Sequence, residues 1–350
     1  MHALAVLQAG IPPEATVHCS GALQVGNRAF HCHKRGGHGS VNMKAAVAQS
    51  CDIYFYVMAR ELGYDRFAPT VRQMGLGARY DLPYPSQRYG TVPDSAWKLK
   101  KYKQSWAIAD SVNASIGQGY VLANPLQLAV MAARLAQGRE IVPRLLLDTP
   151  HQPAPSMGID PKHIQTVREC MWAVVNGGGT GGRARLSIPG VELAGKTGTA
   201  QVRAITAAER RSGVLGNAQL PFKLRDHTLF VGFAPADNPR YAISIVLEHH
   251  GHVNPNTDVP LTARDVMTFL FDRDKAIKTL HELEPTWGGT YTERMARQAQ
   301  AFEAARAAAR AAPPPPVPED AAAAASNVAS AAANATATVQ DAAASQERSE

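Results

Sequence analysis

The run Ala194-Gly195-Lys196-Thr197-Gly198-Thr199-Ala200 places a cation, two hydroxyls and two bare backbone positions side by side. On an extended strand at a sheet edge, such a run can pair with an extended peptide through backbone groups. Gly198 leaves room for that approach, while Lys196 and Thr197 offer an ammonium and a hydroxyl to a carboxylate. A second set of reactive side chains lies earlier. Cys19, Cys32, His38 and Cys51 are separated by 12, 5 and 12 residues, and three thiolates with an imidazole make a tetrahedral set suited to structural zinc (Zn2+). His18, His31 and His33 flank the thiols and could exchange as ligands. Two readings compete with zinc: a Cys19 to Cys32 disulfide, and buried unpaired thiols. Cys170 lies on the apolar face of a helical segment and reads as packing.

These groups need a scaffold, and the composition supplies one. The chain has 350 residues, 45% of them hydrophobic, with 28 Gly and 24 Pro, as in globular proteins long enough to bury a core. No uncharged apolar run approaches the ~18 residues of a membrane span. The formal charge of +7 comes without a basic stripe interleaved with aromatics, so nucleic acid is not expected as a partner. Lys98, Lys100, Lys101 and Lys103 form a local basic patch that reads as a solvated face. Apolar periodicity predicts helices over residues 41–62, 124–137, 160–176 and 261–271, the second opened by Asn124-Pro125 and closed by Gly138. A mobile loop is expected after the Asn176-Gly177-Gly178-Gly179 terminator. Strands are expected over residues 190–202, 227–234 and 240–248, the last two forming an antiparallel hairpin about Pro235-Ala236-Asp237-Asn238-Pro239. Helices first, an antiparallel sheet later and a helix returning onto it predict an α+β fold. Composition shifts near residue 285. Residues 1–284 read as the body, 285–312 as a helical extension with a thin apolar face, and 313–350 as a disordered Ala/Pro-rich tail.

Four blocks in order carry a family resemblance: Gly36-Gly37-His38-Gly39; Ser50-Cys51-Asp52-Ile53-Tyr54-Phe55-Tyr56; Ser115-Ile116-Gly117-Gln118-Gly119-Tyr120 followed by Asn124-Pro125-Leu126-Gln127; and Gly195-Lys196-Thr197-Gly198-Thr199. Together they resemble the transpeptidase domain of class B penicillin-binding proteins, and among these the penicillin-binding protein 2 group of cell elongation, over roughly residues 1–275. The resemblance implies the penicillin-binding/β-lactamase-like fold and a peptidoglycan D,D-transpeptidase that takes stem peptides as substrates and is trapped by β-lactams. It further implies an inner-membrane anchor with a periplasmic catalytic domain, a glycan polymerase of the rod complex as partner, and a metal held by Cys or Asp and His. Carried onto this chain, Ser50 relays protons and Asp52 orients substrate. Lys196, Thr197 and Gly198 form the third motif, and the Thr199 N–H forms half of the oxyanion hole, a donor contributing about 3 to 4 kcal/mol in such sites.

The family's nucleophile is a Ser followed one helical turn later by an activating Lys. The literal match Ser95-Ala96-Trp97-Lys98 lies after the second motif instead of before it, and Ser111-Val112-Asn113 lies inside the block leading to Ser115, so both read as coincidences. The segment from His2 to Gly10 resembles the helix that follows the nucleophile in relatives. On that alignment the expectation is a C-terminal portion whose Ser-x-x-Lys lies upstream of Met1, inactive in acylation by itself. The alternative from another class is a noncatalytic, zinc-stabilised module that binds peptide or β-lactam.

Overall fold

The computed structural model describes residues 1–311 apart from 84–86, 149, 151–152, 204–208, 210–212 and 255–256. The tail expected over residues 313–350 lies outside the described residues. Two compact units divide at Lys278, six residues before the expected boundary at 284.

The first unit opens with helix α1 (His2–Gln8), whose Ala3 to Leu7 are all buried. Two small antiparallel pairs follow: β1 (Val17–Cys19) with β4 (Gly39–Val41), and between them β2 (Ala22–Val25) with β3 (Arg28–His31). The segment expected as one interrupted helix is two, α2 (Met43–Ala48) and α3 (Asp52–Leu62), with Gln49, Ser50 and Cys51 at the break. Then come α4 (Ala68–Gln73), α5 (Ser95–Tyr102), α6 (Ile108–Ser115), α7 (Pro125–Gln137) and α8 (Pro161–Asn176). Helix α7 starts and stops where its residues dictate. Asn124 Oδ1 accepts from Gln127 N at 2.8 Å, Pro125 supplies no donor where none is needed, and Gly138 closes the helix at φ +66°.

The main sheet has the order β5-β6-β7, all antiparallel: β5 (Ala194–Ala200), β6 (His227–Ala234) and β7 (Tyr241–Leu247). The expected hairpin is β6-β7, and β5 is left with one free edge. Helix α9 (Val259–Phe271) packs on β6 and β7, while α8 lies against β5 and α7 against β7. Alternation along β6 divides the core. Phe230 joins Leu193, Val259, Ala263 and Met267, whereas Phe233 and Val231 join the larger core built on α1, α2, α3 and α8. Gly195 is required by this packing, since a Cβ there would lie 2.2 Å from the Phe230 ring. The α+β expectation holds. Helix α10 (Arg273–Leu283) spans the boundary, and the described part of the second unit continues to α11 (Tyr291–Ala311). Among the described residues, no helix is long and apolar enough to cross a membrane.

Candidate active site and metal centre

The site begins with a strained residue. Ser50 follows α2 at φ +55°, a left-handed conformation costing a non-glycine residue roughly 1–2 kcal/mol. It is held there from both sides. Cys51 N donates back to Ala46 O at 2.8 Å, closing α2, and Cys51 then serves as N-cap residue of α3. The strain aims the Ser50 hydroxyl out of the helix break, where Lys196 Nζ of β5 donates to it. Lys196 Nζ also donates to Thr197 O at 3.0 Å. Burial lowers the Lys196 ammonium to about 8, with Asp52 partly offsetting that effect.

The free edge of β5 faces this site. In an antiparallel ladder, a residue directs its N–H and C=O to the same side of the strand. Thr197 O accepts from Lys196, and Thr199 O accepts from Gln118 Nε2 at 2.8 Å, so both residues point their backbone groups away from β6. The Thr199 N–H therefore opens on the groove side, where the resemblance requires an oxyanion donor. Gln118 belongs to the Ser-Ile-Gly-Gln-Gly block and ties that turn to the strand. A Cβ on Gly198 would meet only Leu229, at an ordinary 3.6 Å, so internal packing does not demand glycine there.

One site residue escaped the sequence reading. Thr180 Oγ1 lies 3.1 Å from Ser50 Oγ and 2.8 Å from Thr197 Oγ1, bridging the second and third motifs. The loop carrying it is pinned, in contrast to the mobility expected of its glycines. Thr180 N donates to Ala48 O at 3.0 Å, Gly181 N donates to Val174 O at 3.0 Å, and a Cβ on Gly179 would strike Ala48 O at 2.5 Å. Here glycine permits close approach, and the signal in the sequence was the hydroxyl residue that ends the glycine run. Thr180→Val should break this bridge at a cost of about 1 kcal/mol, lowering the melting temperature by about 2 to 4 °C, while Thr180→Ser should restore it. Melting curves of both variants check this.

The two literal motif matches are engaged elsewhere. Lys98 is buried and pairs with Asp110 at 2.6 Å, and Ser95 N donates to Asp65 at 2.9 Å. Ser111 Oγ accepts from Tyr64 N and from Trp106 Nε1. The basic patch is corrected accordingly. Lys100, Lys101 and Lys103 are exposed, but Lys98 is not part of it. The family's Ser-x-x-Lys pair has no counterpart beside Ser50 and Lys196 among the described residues.

Beside the groove, the β1–β4 pairs collect the thiols. Cys19 ends β1, Cys32 follows β3, His38 precedes β4 and Cys51 caps α3. Gly21 and Gly37, both at positive φ, let two turns close tightly: added Cβ atoms would lie 2.0 Å from Arg35 O and 2.1 Å from Cys19 O. All four cysteines are free thiols, so the Cys19 to Cys32 disulfide is absent, and Cys170 is buried in the main core as expected. The ligand atoms of Cys19, Cys32, His38 and Cys51 all lie within 4.8 Å of one another. His38 Nδ1 is 3.6 Å from Cys19 Sγ and 3.5 Å from Cys32 Sγ. Regular tetrahedral zinc with bonds of ~2.3 Å to sulfur and ~2.05 Å to nitrogen requires S···N edges of about 3.6 Å, so the donor set fits the ion. The Cys51 thiol and the backbone N–H groups of Lys34, Asp52 and Ile53 hold Cys32 well below the ordinary thiol range, whereas Cys32 and burial push Cys51 up.

Asp52 also faces this cluster. Its carboxylate accepts from His33 N at 2.9 Å and lies 3.7 Å from His33 Nδ1, and burial raises its carboxyl despite the His33 hydrogen bond. Of the second-motif residues, it is Ser50 that touches Lys196.

The family model for the penicillin-binding protein transpeptidase domain matches residues 1–267. The peptidoglycan D,D-transpeptidase MrdA of Acinetobacter baumannii is 38% identical over 236 residues, covering 64% of this chain and 34% of its own length. The MrdA of Escherichia coli K12 is 32% identical over 231 residues, covering 62% of this chain and 36% of its own. The chain thus spans about a third of these relatives. Among solved structures, PBP2 of Pseudomonas aeruginosa in complex with WCK 5153 superimposes with a TM-score of 0.63 at 32% identity, covering 77% of this chain and 58% of that one. PBP2 of Helicobacter pylori in complex with MreC gives a TM-score of 0.66 at 28% identity, covering 81% and 48%.

Proposed function

Because the chain belongs to the penicillin-binding protein transpeptidase domain family, we propose that it forms the substrate-holding part of a peptidoglycan D,D-transpeptidase of cell-wall elongation. One observation carries this reading above the others: Lys196, Ser50, Thr180 and Thr197 join in one hydrogen-bonded chain beside an outward-facing Thr199 N–H. In the reaction, a serine oxygen attacks the carbonyl between the two terminal D-Ala residues of a stem peptide. The C–N bond breaks and D-Ala leaves with a proton, after which the acyl group passes to an amine of a neighbouring stem. Lys196 and the Thr197 hydroxyl hold the terminal carboxylate, the Thr199 N–H receives the developing oxyanion, and Ser50 moves the proton to the departing nitrogen. A Lys196 ammonium near 8 suits that relay, since it can exchange a proton close to neutral pH.

Zinc on Cys19, Cys32, His38 and Cys51 would act structurally, cross-linking the β1–β4 pairs to the N-terminus of α3. Cys51 lies between Ser50 and Asp52, so metal occupancy would fix the second motif. We further assign the domain to the periplasmic side of the inner membrane, working with a glycan polymerase of the rod complex. The support is the MrdA kinship and the neighbour solved in complex with MreC.

Incubation with a fluorescent penicillin followed by denaturing electrophoresis should leave the chain unlabelled, while calorimetry should detect an acyl-D-Ala-D-Ala peptide at millimolar concentration. A stable covalent band mapped to Ser50 would make that residue the nucleophile, overturning its relay role. Failure to bind the peptide would sink the transpeptidase reading in favour of a purely structural module.

A further inference from the structure

After β7 the chain turns through Glu248-His249-His250-Gly251-His252, which the proposed function leaves without a role. The turn is strained, with His249 at φ +56° and His252 at φ +54°. It is also firmly tied. His249 N donates to His227 Nδ1 at 2.9 Å, Gly251 N to Asp226 O at 3.0 Å, and His252 N to His250 Nδ1 at 3.2 Å. Because His250 Nδ1 accepts, a neutral His250 carries its proton on Nε2, which lies 3.2 Å from Thr257 Oγ1. The result of these ties is that His252 Nε2 sits 3.3 Å from Thr199 Oγ1, at the groove end of β5.

We propose that His252 is a positioning residue for the substrate carboxylate, orienting the Thr199 hydroxyl toward the groove and, once protonated, placing a positive charge behind it. The inference rests on the transpeptidase reading and deepens it. A neutral imidazole can either take the Thr199 hydroxyl proton or give one to its oxygen, but an imidazolium can only give. Protonation therefore leaves the Thr199 O–H free to donate to an anion. His250 of the same turn lies with its ring 6.3 Å from that of His252, and the Thr199 hydroxyl of β5 is the hydrogen-bond partner. Asp226 before β6 and Asp258 before α9, the latter paired with Arg183 at 2.6 Å, act on the ring through their charge. His252 is exposed, but the partial desolvation of its ring and then His250 bias it below the ordinary histidine range, with Asp258 and Asp226 acting in the opposite sense. The bias is toward the neutral ring, which gains charge on acidification. A bound carboxylate favours the charged ring, so by linkage affinity for a carboxylate ligand rises as pH falls.

The test uses the whole chain and two probes, N-acyl-D-Ala-D-Ala and its C-terminal amide, with binding measured from pH 7.5 to pH 5. His252→Gly removes the ring without straining the positive φ, and His252→Asn keeps a neutral donor on a residue that tolerates it. In the unsubstituted chain the preference for acid over amide should grow about five- to tenfold on acidification. Both variants should lose that growth, and His252→Asn should keep more of the preference at pH 7.5 than His252→Gly. Retention of the acid-dependent rise in both variants overturns the role of His252 alone. Equal weakening of acid and amide shows that the ring merely braces its turn, which also overturns it. A failure of the unsubstituted chain to distinguish acid from amide at any pH overturns this inference and the carboxylate-holding reading together.

Discussion

Replacing Cys51 by Ser should empty the metal centre and disable the groove in one step. Protein purified without added zinc should carry close to one equivalent by elemental analysis, and the variant less than about a tenth. The argument is geometric first. Cys51 is buried at the start of α3, directly between Ser50 and Asp52, and its sulfur falls within the same 4.8 Å cluster as those of Cys19 and Cys32 and the His38 nitrogen. The β1–β4 pairs around it have only three or four residues per strand, too short to hold their register without a cross-link. Loss of the ion should therefore lower the melting temperature by about 5 to 10 °C, corresponding to roughly 2 to 3 kcal/mol in a domain of this size. It should also free Ser50 to leave its strained φ, so acyl-D-Ala-D-Ala binding should fall by more than about tenfold. Cys170→Ser serves as the control, since that thiol is buried but is not among the four clustered donors, and its loss should leave zinc content unchanged. A full equivalent of zinc in the Cys51 variant, with unaltered melting, would show that these four donors are not the ligands.

Parts of this site were written locally in the sequence and parts were not. The hairpin β6-β7 announces itself by apolar runs around a Pro-flanked turn, and α7 by its cap and terminator, because these signals act within a few residues. The Lys-Thr-Gly strand and the Cys/His spacing were legible for the same reason, as residue types whose chemistry survives without context. The strands β1 to β4 were not, since three or four residues do not display a period. Thr180 was missed because its meaning depends on Ser50, 130 positions away, and only the close approach of Gly179 to Ala48 brings the two together. Nor does Ser-Cys-Asp encode a left-handed Ser50. That conformation is imposed by the closure of α2 and the immediate start of α3. Lys98 misled in the opposite direction: a lysine run looks like a solvated face until one member folds inward and pairs with the half-buried carboxylate of Asp110.

Lys196 shows most directly how function is set against stability in this fold. Its ammonium is lowered from 10.5 to about 8 because burial disfavours the charged form. Between those two values the unfolded chain binds more protons than the folded one, so stability should rise with pH from about 8 to 10.5. Below 8 the full penalty of a buried charge persists, and this is the range in which the ammonium can hold a carboxylate. Lys196→Met should therefore split two properties that usually move together. At pH 7 the variant should melt about 2 to 4 °C higher, the equivalent of ~1 kcal/mol, and the rise of stability between pH 8 and 10.5 should largely vanish. Binding of acyl-D-Ala-D-Ala should drop by about a hundredfold, the cost of removing a charged hydrogen-bond donor from its anion. In the unsubstituted chain, affinity should decline as pH passes upward through about 8, a basic limb distinct from the acidic one assigned to His252. Melting curves and calorimetry at matched pH test both halves. A variant that is less stable at pH 7 and still binds the peptide would mean that Lys196 supports the sheet instead of the ligand, and the carboxylate clamp would have to be sought elsewhere.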